Sequence, residues 1–323
     1  MTMNAFPSLT RWSRTLFRVI LVLGTIGFIG RAKADAADAP PDVSRETFRT
    51  SDGWTIYATY YKAYKTEKLR TDLSERAVVV LLHGEEGNRV GWDKSSAPPG
   101  RLSFPAMLHT LGYAVLTVDL RKHGESVVKG REESLQGADW GRMMADLVAV
   151  KEFIFAEHQE KRLNMNKLGI IACDKSAPLA AAFAEYDWKQ PPHDDSPLAA
   201  NRTPRGQDVK FLGLISPESS AGGLQGSRSL GYFSKIPDLS LLVCIGTKDP
   251  KDKKHAETLF QTISSKKVNE DRVLLLKPEL KDRGLDVMGK AINEVEAPMV
   301  KFMETHLLQL ECPWQDRRSR LIR

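Results

Sequence analysis

The chain has 323 residues, of which 41% are hydrophobic and 27% charged, enough to bury the core of one large α/β domain or two small ones. Three cysteines in a chain of this length exclude a disulfide framework. Five of the 47 basic residues and no acidic residue precede Asp35. The chain from Asp35 onward therefore carries 42 basic and 41 acidic residues, and its net charge of +1 does not support nucleic-acid binding.

The N-terminus has the pattern of a secretory signal peptide. Arginines precede an apolar run over residues 19–30, and residues 32–34 form an A-x-A cleavage site. The run is shorter than the roughly 20 residues that span a bilayer. We predict a signal peptide over residues 1–34, a linker over 35–44, and a secreted or periplasmic protein. The alternative is an uncleaved N-terminal anchor, which would be the chain's only membrane contact.

The next segment predicts an antiparallel hairpin at a sheet edge. Asp52-Gly53 is a hairpin turn signal. After it, apolar residues alternate with mostly polar ones from Trp54 to Tyr60, as in a half-buried strand.

Six continuous apolar runs then alternate with helical patterns. Such runs are typical of parallel strands buried on both faces, and their alternation with helices predicts a doubly wound, mostly parallel sheet. Cys173 and Cys244 follow or lie in two of these runs and should be buried. The runs cover residues 77–82, 113–118, 167–172, 211–215, 239–245 and 272–276, and the helical patterns include 143–154, 256–263 and 297–308.

Two stretches predict irregular structure, and neither is long or apolar enough to be a separate lid domain. Residues 186–207 are rich in Pro, Asp and Asn, and residues 216–231 are rich in Gly and Ser. We therefore place one α/β domain over residues 45–310, followed by a basic tail over 311–323 that we expect to be frayed and solvated.

Several motifs occur in a fixed order along this domain. His83-Gly84 ends the first buried run, and the second is followed by Asp-Leu-Arg-Lys-His-Gly-Glu-Ser over residues 119–126. In sequence and order these motifs resemble the α/β hydrolases, with Lys122 in place of the family's Gly, and the resemblance extends from about residue 48 to 308. It implies an α/β-hydrolase fold with an N-terminal hairpin.

The resemblance also assigns an oxyanion-like loop. In the family, backbone N–H groups after the first of these strands and after the nucleophile stabilise the reacting oxygen. Here that implies Gly84 or Glu85, together with Lys175. The alternative is that His83 and Gly84 only shape the turn.

An aspartate occupies the nucleophile position. The family places Ser in Gly-x-Ser-x-Gly on a sharp strand-to-helix turn, and here the small residues Ala172 and Ser176 bracket Asp174. In the dehalogenase and epoxide-hydrolase branches a carboxylate attacks carbon and a His-activated water cleaves the resulting ester. The alternative is that Asp174 only begins the following helix as an N-cap.

Of the other two catalytic positions, the acid is present and the histidine is absent. Asp249, in a Gly-Thr-Lys-Asp segment, matches the family's acid, although an Asp before Pro is also a common turn former. The expected histidine is absent from residues 277–286, where Arg283 lies closest to its place. Arginine cannot act as a base, because its pKa stays above about 12. We predict instead a charge-paired cluster of Arg283 with Asp174 and Asp249.

The sequence thus leaves two hypotheses for function. The first is an exported, catalytically degenerate α/β-hydrolase-fold protein with a binding or structural role, which would bind a small-molecule ligand or another partner. The second is an active ester, epoxide or haloalkane hydrolase that uses Asp174 or Ser176 with a histidine from elsewhere, such as His123. No cofactor is expected, and no Cys or His spacing suggests a metal.

Overall fold

The computed structural model describes residues 42–65, 71–96, 99–128, 134–236, 238–252, 254–265 and 267–322. The predicted signal peptide and most of the predicted linker lie outside these residues. Among the helices that are described, none is both long enough and apolar enough to span a membrane.

The described strands form one large sheet and one small hairpin. They are β1 (Val43–Arg49), β2 (Thr55–Tyr61), β3 (Val78–Leu82), β4 (Ala114–Asp119), β5 (Leu168–Cys173), β6 (Val209–Ile215), β7 (Ser220–Ala221), β8 (Leu224–Gln225), β9 (Ser240–Cys244) and β10 (Val273–Leu276). The large sheet has the order β1-β2-β4-β3-β5-β6-β9-β10, and β7 pairs with β8. Only the β1–β2 and β2–β4 pairs of the large sheet are antiparallel.

Helices cover both faces of this sheet. They are α1 (Gly91–Ser96), α2 (Phe104–Thr110), α3 (Asp139–Arg142), α4 (Met144–Gln159), α5 (Ser176–Trp188), α6 (Gly226–Tyr232), α7 (His255–Ser264) and α8 (Glu296–Met303). Helices α4 to α7 contribute to one hydrophobic core, and α1, α2 and α8 contribute to the other. The doubly wound, mostly parallel sheet with an N-terminal hairpin is confirmed.

The central strands are buried because both of their faces meet a core. In β3, Val78, Val80 and Leu82 point into one core. Val79 and Leu81 point into the other, so alternate residues serve opposite faces of the sheet. Cys173 and Cys244 are free and buried, as expected.

Two expectations about irregular segments are wrong. Residues 216–231 hold the β7–β8 hairpin and most of α6, because Gly222 and Gly223 adopt positive φ at the hairpin turn and Leu230 is buried in the core. The tail is also not solvated throughout. Arg317 is buried and donates to the carbonyls of Pro204 and Gly206 at 3.0 Å each.

Candidate active site

The site begins at the turn between β5 and α5. Asp174 lies there with φ of +50°, in the left-handed region that non-glycine residues rarely adopt. Its backbone N–H donates to Ile215, and its carbonyl accepts from Ala177 and Glu218, at 3.0 to 3.1 Å. These bonds hold the strained conformation, which costs roughly 1–2 kcal/mol. This is the geometry of a strand-to-helix elbow that presents one side chain at the carboxyl edge of the sheet.

Two glycines enclose one oxygen of the Asp174 carboxylate. A Cβ atom on either Gly84 or Gly284 would overlap Asp174 Oδ2. Gly84 follows β3, and Gly284 follows Arg283 in the loop after β10 with φ of +55°. The Asp174 side chain is consequently only 22% exposed.

The other carboxylate oxygen faces Arg283, whose guanidinium meets three carboxylates. Its Nε lies 2.8 Å from Asp174 Oδ1, one Nη lies 2.9 Å from Asp249 Oδ2, and the second Nη lies 2.5 Å from Glu218 Oε1. The Nε–Oδ1 contact is an ion pair without an aligned hydrogen bond. These carboxylates follow β5, β9 and β6, so one guanidinium ties the ends of three strands to the loop after β10.

The electrostatics of this cluster leave Asp174 poorly stabilised as an anion. Burial is the largest cause that raises its pKa, the adjacent Glu218 and Asp249 carboxylates also raise it, and the resulting pKa is about 6. Arg283 opposes them but does not cancel the cost of burial. Three carboxylates share a single guanidinium, so the cluster carries surplus negative charge.

The residues predicted for the oxyanion-like loop also lie at this edge. Lys175 Nζ forms an ion pair with Glu85 at 2.6 Å, which joins the loop after β3 to the elbow. Among the described residues, the backbone N–H groups of Glu85 and Lys175 have no protein acceptor. The structure therefore brings Asp174, Asp249, Arg283 and this loop together.

The substitute histidines do not face Asp174. His123 places its ring nitrogens 2.9 Å from the Arg121 carbonyl and 2.8 Å from the Glu85 carbonyl. His83 contacts the Gly84 carbonyl through Nδ1 and accepts from the backbone N–H of Leu120 through Nε2. Burial and the neighbouring His123 together lower the pKa of His83 to about 3.

The Ser176 hydroxyl is also fully engaged in hydrogen bonds to the backbone. Its Oγ donates to the carbonyl of Cys173 at 2.7 Å and accepts from that residue's backbone N–H at 3.0 Å. The side chain is fully buried in the first turn of α5. Its hydroxyl therefore stabilises the elbow and has no exposed face toward a substrate.

The motif after β4 has a structural role. Asp119 is buried and accepts from the backbone N–H of Arg89 and of Glu125 at 2.6 and 2.9 Å. Lys122, in place of the family's Gly, has φ of +64°, so the position keeps the backbone conformation that glycine favours. Lys122 Nζ is held by Asp139 at 2.8 Å.

Sequence reasoning missed Glu218 and His255. Glu218 joins Arg283 to His255, whose Nδ1 lies 3.2 Å from Glu218 Oε2. Glu218 follows the buried strand β6, so its place at the carboxyl edge was available as a signal. The Gly- and Ser-rich composition of residues 216–231 by itself indicates only a loop.

A cavity of about 500 Å³ opens over this cluster. It is lined by Gly84, Glu85, Glu86, Gly87, Asn88, Gly91, Lys94, Asp174, Lys175, Glu218, Lys251, Arg283, Leu285 and Asp286. Among the described residues, no group of three or more His, Cys, Asp or Glu side chains could hold a metal ion.

Comparison with solved structures shows which fold this is. The chain is similar to an esterase from Pyrococcus furiosus, with a TM-score of 0.54 and 16% identity over 84% of this chain and 97% of that one. It is similar to the acylaminoacyl peptidase of Pyrococcus horikoshii, with a TM-score of 0.55 and 12% identity over 85% of this chain and 43% of that one. Dipeptidyl peptidase 4 from Porphyromonas gingivalis gives a TM-score of 0.50 and 13% identity over 82% and 35% of the respective chains. No protein-family model and no curated protein matches the sequence.

Proposed function

We propose that this chain, which has the α/β-hydrolase fold, is a catalytically degenerate member of that fold that acts by binding a small polar ligand at the elbow cavity. The single observation that carries the proposal is the position of Arg283. Its guanidinium pairs with both Asp174 and Asp249, where catalysis would require an imidazole.

The Ser–His–Asp mechanism lacks two of its parts here. A serine nucleophile needs a base within hydrogen-bond reach, and an arginine guanidinium only donates hydrogen bonds and cannot accept a proton. Removal of a single triad member costs roughly four orders of magnitude in rate. Asp249 keeps the acid position with a side chain that is 1% exposed, but it orients a cation instead of a base.

A carboxylate nucleophile is disfavoured by the same contacts. Asp174 Oδ1 faces Arg283 Nε at 2.8 Å, and Oδ2 is enclosed by Gly84 and Gly284. An ester formed on Asp174 would also need an activated water to release it. His83 and His123 are held by backbone groups and supply no base for that water.

A binding role is supported by the cavity itself. Its volume of about 500 Å³ lies within the range of small-molecule pockets. The described part of the chain offers no ion-pair partner for Lys94, Lys251, Glu86 or Asp286, which line it. Unpaired charges of both signs favour a polar ligand over an apolar one.

The N-terminal pattern supports action outside the cytoplasm. A basic start, an apolar run over residues 19–30 and an A-x-A site direct a chain to export. We propose that the binding function is performed in the periplasm or after secretion.

An active hydrolase that uses Asp174 is the second candidate. The elbow conformation at φ of +50° supports it, because that turn is the position from which members of this fold present a nucleophile.

The two candidates are separated by turnover measurements. Purified protein is incubated with short acyl esters, epoxides and haloalkanes, beside the Asp174→Ala and Ser176→Ala variants. The proposal expects no saturable turnover above that of Asp174→Ala. Turnover abolished by Asp174→Ala would establish the hydrolase, and turnover lost only in Ser176→Ala would move the nucleophile to that residue.

Binding is tested separately by thermal unfolding in the presence of small polar metabolites, since a ligand that binds only the native state raises its stability. We expect stabilisation that is lost in the Lys251→Gln variant. Stabilisation that Lys251→Gln leaves unchanged would place the ligand elsewhere.

A further inference from the structure

A second cavity, which we name the rear cleft, lies between α4 and the end of α5. It is lined by eleven residues from α4, from the end of α5 and from the segments around residues 165, 190–193, 204–205 and 317. None of these residues lines the elbow cavity. Its volume of about 240 Å³ lies just below the range of roughly 300–1,000 Å³ that is usual for small-molecule pockets, which suits a small ligand.

Five of the eleven residues that line the rear cleft are apolar or aromatic. Val148 and Phe155 come from α4, Tyr186 comes from α5, and Met165 and Pro204 complete the lining. Tyr186 is 44% exposed, which is high for a large hydrophobic residue. An apolar group of a ligand would therefore gain from burial here.

The charges at the floor of the rear cleft are already satisfied. Lys151 Nζ lies 2.6 Å from Asp208 and also pairs with Asp187. Arg317 pairs with the other oxygen of Asp208 at 2.7 Å. Two cations thus balance two buried carboxylates, and the floor presents no net charge to a ligand.

The rim differs from the floor because it carries one unpaired charge of each sign. Arg205 and Glu152 are exposed, and among the described residues neither has an oppositely charged partner. The Arg205 guanidinium donates a long hydrogen bond to Gln190 Oε1, at 3.4 Å. A guanidinium and a carboxylate at one apolar opening complement a ligand with a carboxylate, an ammonium and an apolar group.

We propose that the rear cleft binds a free α-amino acid with an aromatic or large branched side chain. The side chain enters between Phe155 and Tyr186, the carboxylate pairs with Arg205, and the ammonium pairs with Glu152. This assignment does not depend on the function of the elbow cavity.

The test uses three probes that share a phenyl group and differ in charge. Calorimetric titration of the full chain with L-phenylalanine should show saturable binding. 3-Phenylpropionate lacks the ammonium and 2-phenylethylamine lacks the carboxylate, so each should bind about tenfold more weakly, as the loss of one charge-assisted hydrogen bond requires. Equal affinity for either analogue would overturn the assignment.

Variants locate the site. Arg205→Gln and Glu152→Gln should each weaken L-phenylalanine binding about tenfold. Arg142→Gln and Glu160→Gln are matched controls, because these residues are exposed and lie outside the rear cleft, and they should leave affinity unchanged. Absence of saturable binding, or binding that Arg205→Gln and Glu152→Gln leave unaltered, would refute the proposal.

Discussion

Replacement of Arg283 by methionine is the sharpest perturbation of the cluster. Methionine keeps much of the length of the side chain but removes the charge that three carboxylates share. Asp249 is 1% exposed and Arg283 is 16% exposed, so the pair is largely buried. Removing one partner of a buried ion pair typically costs about 3–5 kcal/mol, because the remaining charge is left uncompensated. We expect a loss of that size in the free energy of unfolding at pH 7.5.

The pH dependence identifies the cause of that loss. Arg283 lowers the folded pKa of Asp174, so without it that pKa rises further and the native state binds a proton more tightly than the unfolded state does. Stability of Arg283→Met should therefore recover as the pH falls from 7.5 to about 5.

Guanidinium denaturation followed by tryptophan fluorescence measures both effects. Arg283→Met combined with Asp174→Asn is the matched control, because it removes one of the stranded charges, and it should be more stable than Arg283→Met alone. A loss below about 1 kcal/mol that is the same at both pH values would refute the account of a buried, charge-paired cluster.

Three further predictions test the same residues. The folded pKa of Asp174 is raised from 3.8 to about 6, mainly by burial, so the stability of the wild type falls as the pH rises through that window. The Asp174→Asn variant removes this cost. In denaturant titrations it should be more stable than the wild type by up to about 3 kcal/mol at pH 7.5 and equally stable at pH 4. Gly284→Ala should destabilise the protein by roughly 2 kcal/mol, because the new Cβ atom would meet Asp174 Oδ2 and residue 284 has φ of +55°. The midpoint of unfolding should recover in part when Asp174→Ala is added. No recovery would contradict the contact between residues 284 and 174. The double variant Asp174→Ser with Arg283→His should hydrolyse a nitrophenyl ester faster than either single variant, since Asp249 would then orient an imidazole. Equal rates in all three variants would contradict the view that the chain keeps the geometry of a catalytic site.

The sequence predicted the sheet well because its strands are buried on both faces and read as continuous apolar runs. Residues 78–82 and 168–173 illustrate this, since their observed bounds lie within one residue of the predicted ones. The gathering of Asp174, Asp249 and Arg283 was also accessible, because parallel strands end at one edge and order along the chain fixes which loops meet there.

Other features depended on contacts between distant residues that local patterns do not encode. Glu218 acquires its place from Arg283, which is 65 residues away in the chain. Arg317 is buried because a buried carboxylate, Asp208, lies within 2.7 Å of it. Arg317 does not differ in local sequence from an ordinary surface charge, and only its position after a buried strand distinguishes Glu218.

A covalent trapping measurement tests the claim of a degenerate site most directly. An Asp174 nucleophile without a base to release its ester would accumulate an alkyl ester, formed on a haloalkane with loss of halide or on an epoxide with opening of the ring. Intact-protein and peptide mass spectrometry would detect it. We predict an unmodified Asp174 peptide after prolonged incubation; an adduct on Asp174 that is absent from Asp174→Asn would show that the elbow carboxylate is a working nucleophile.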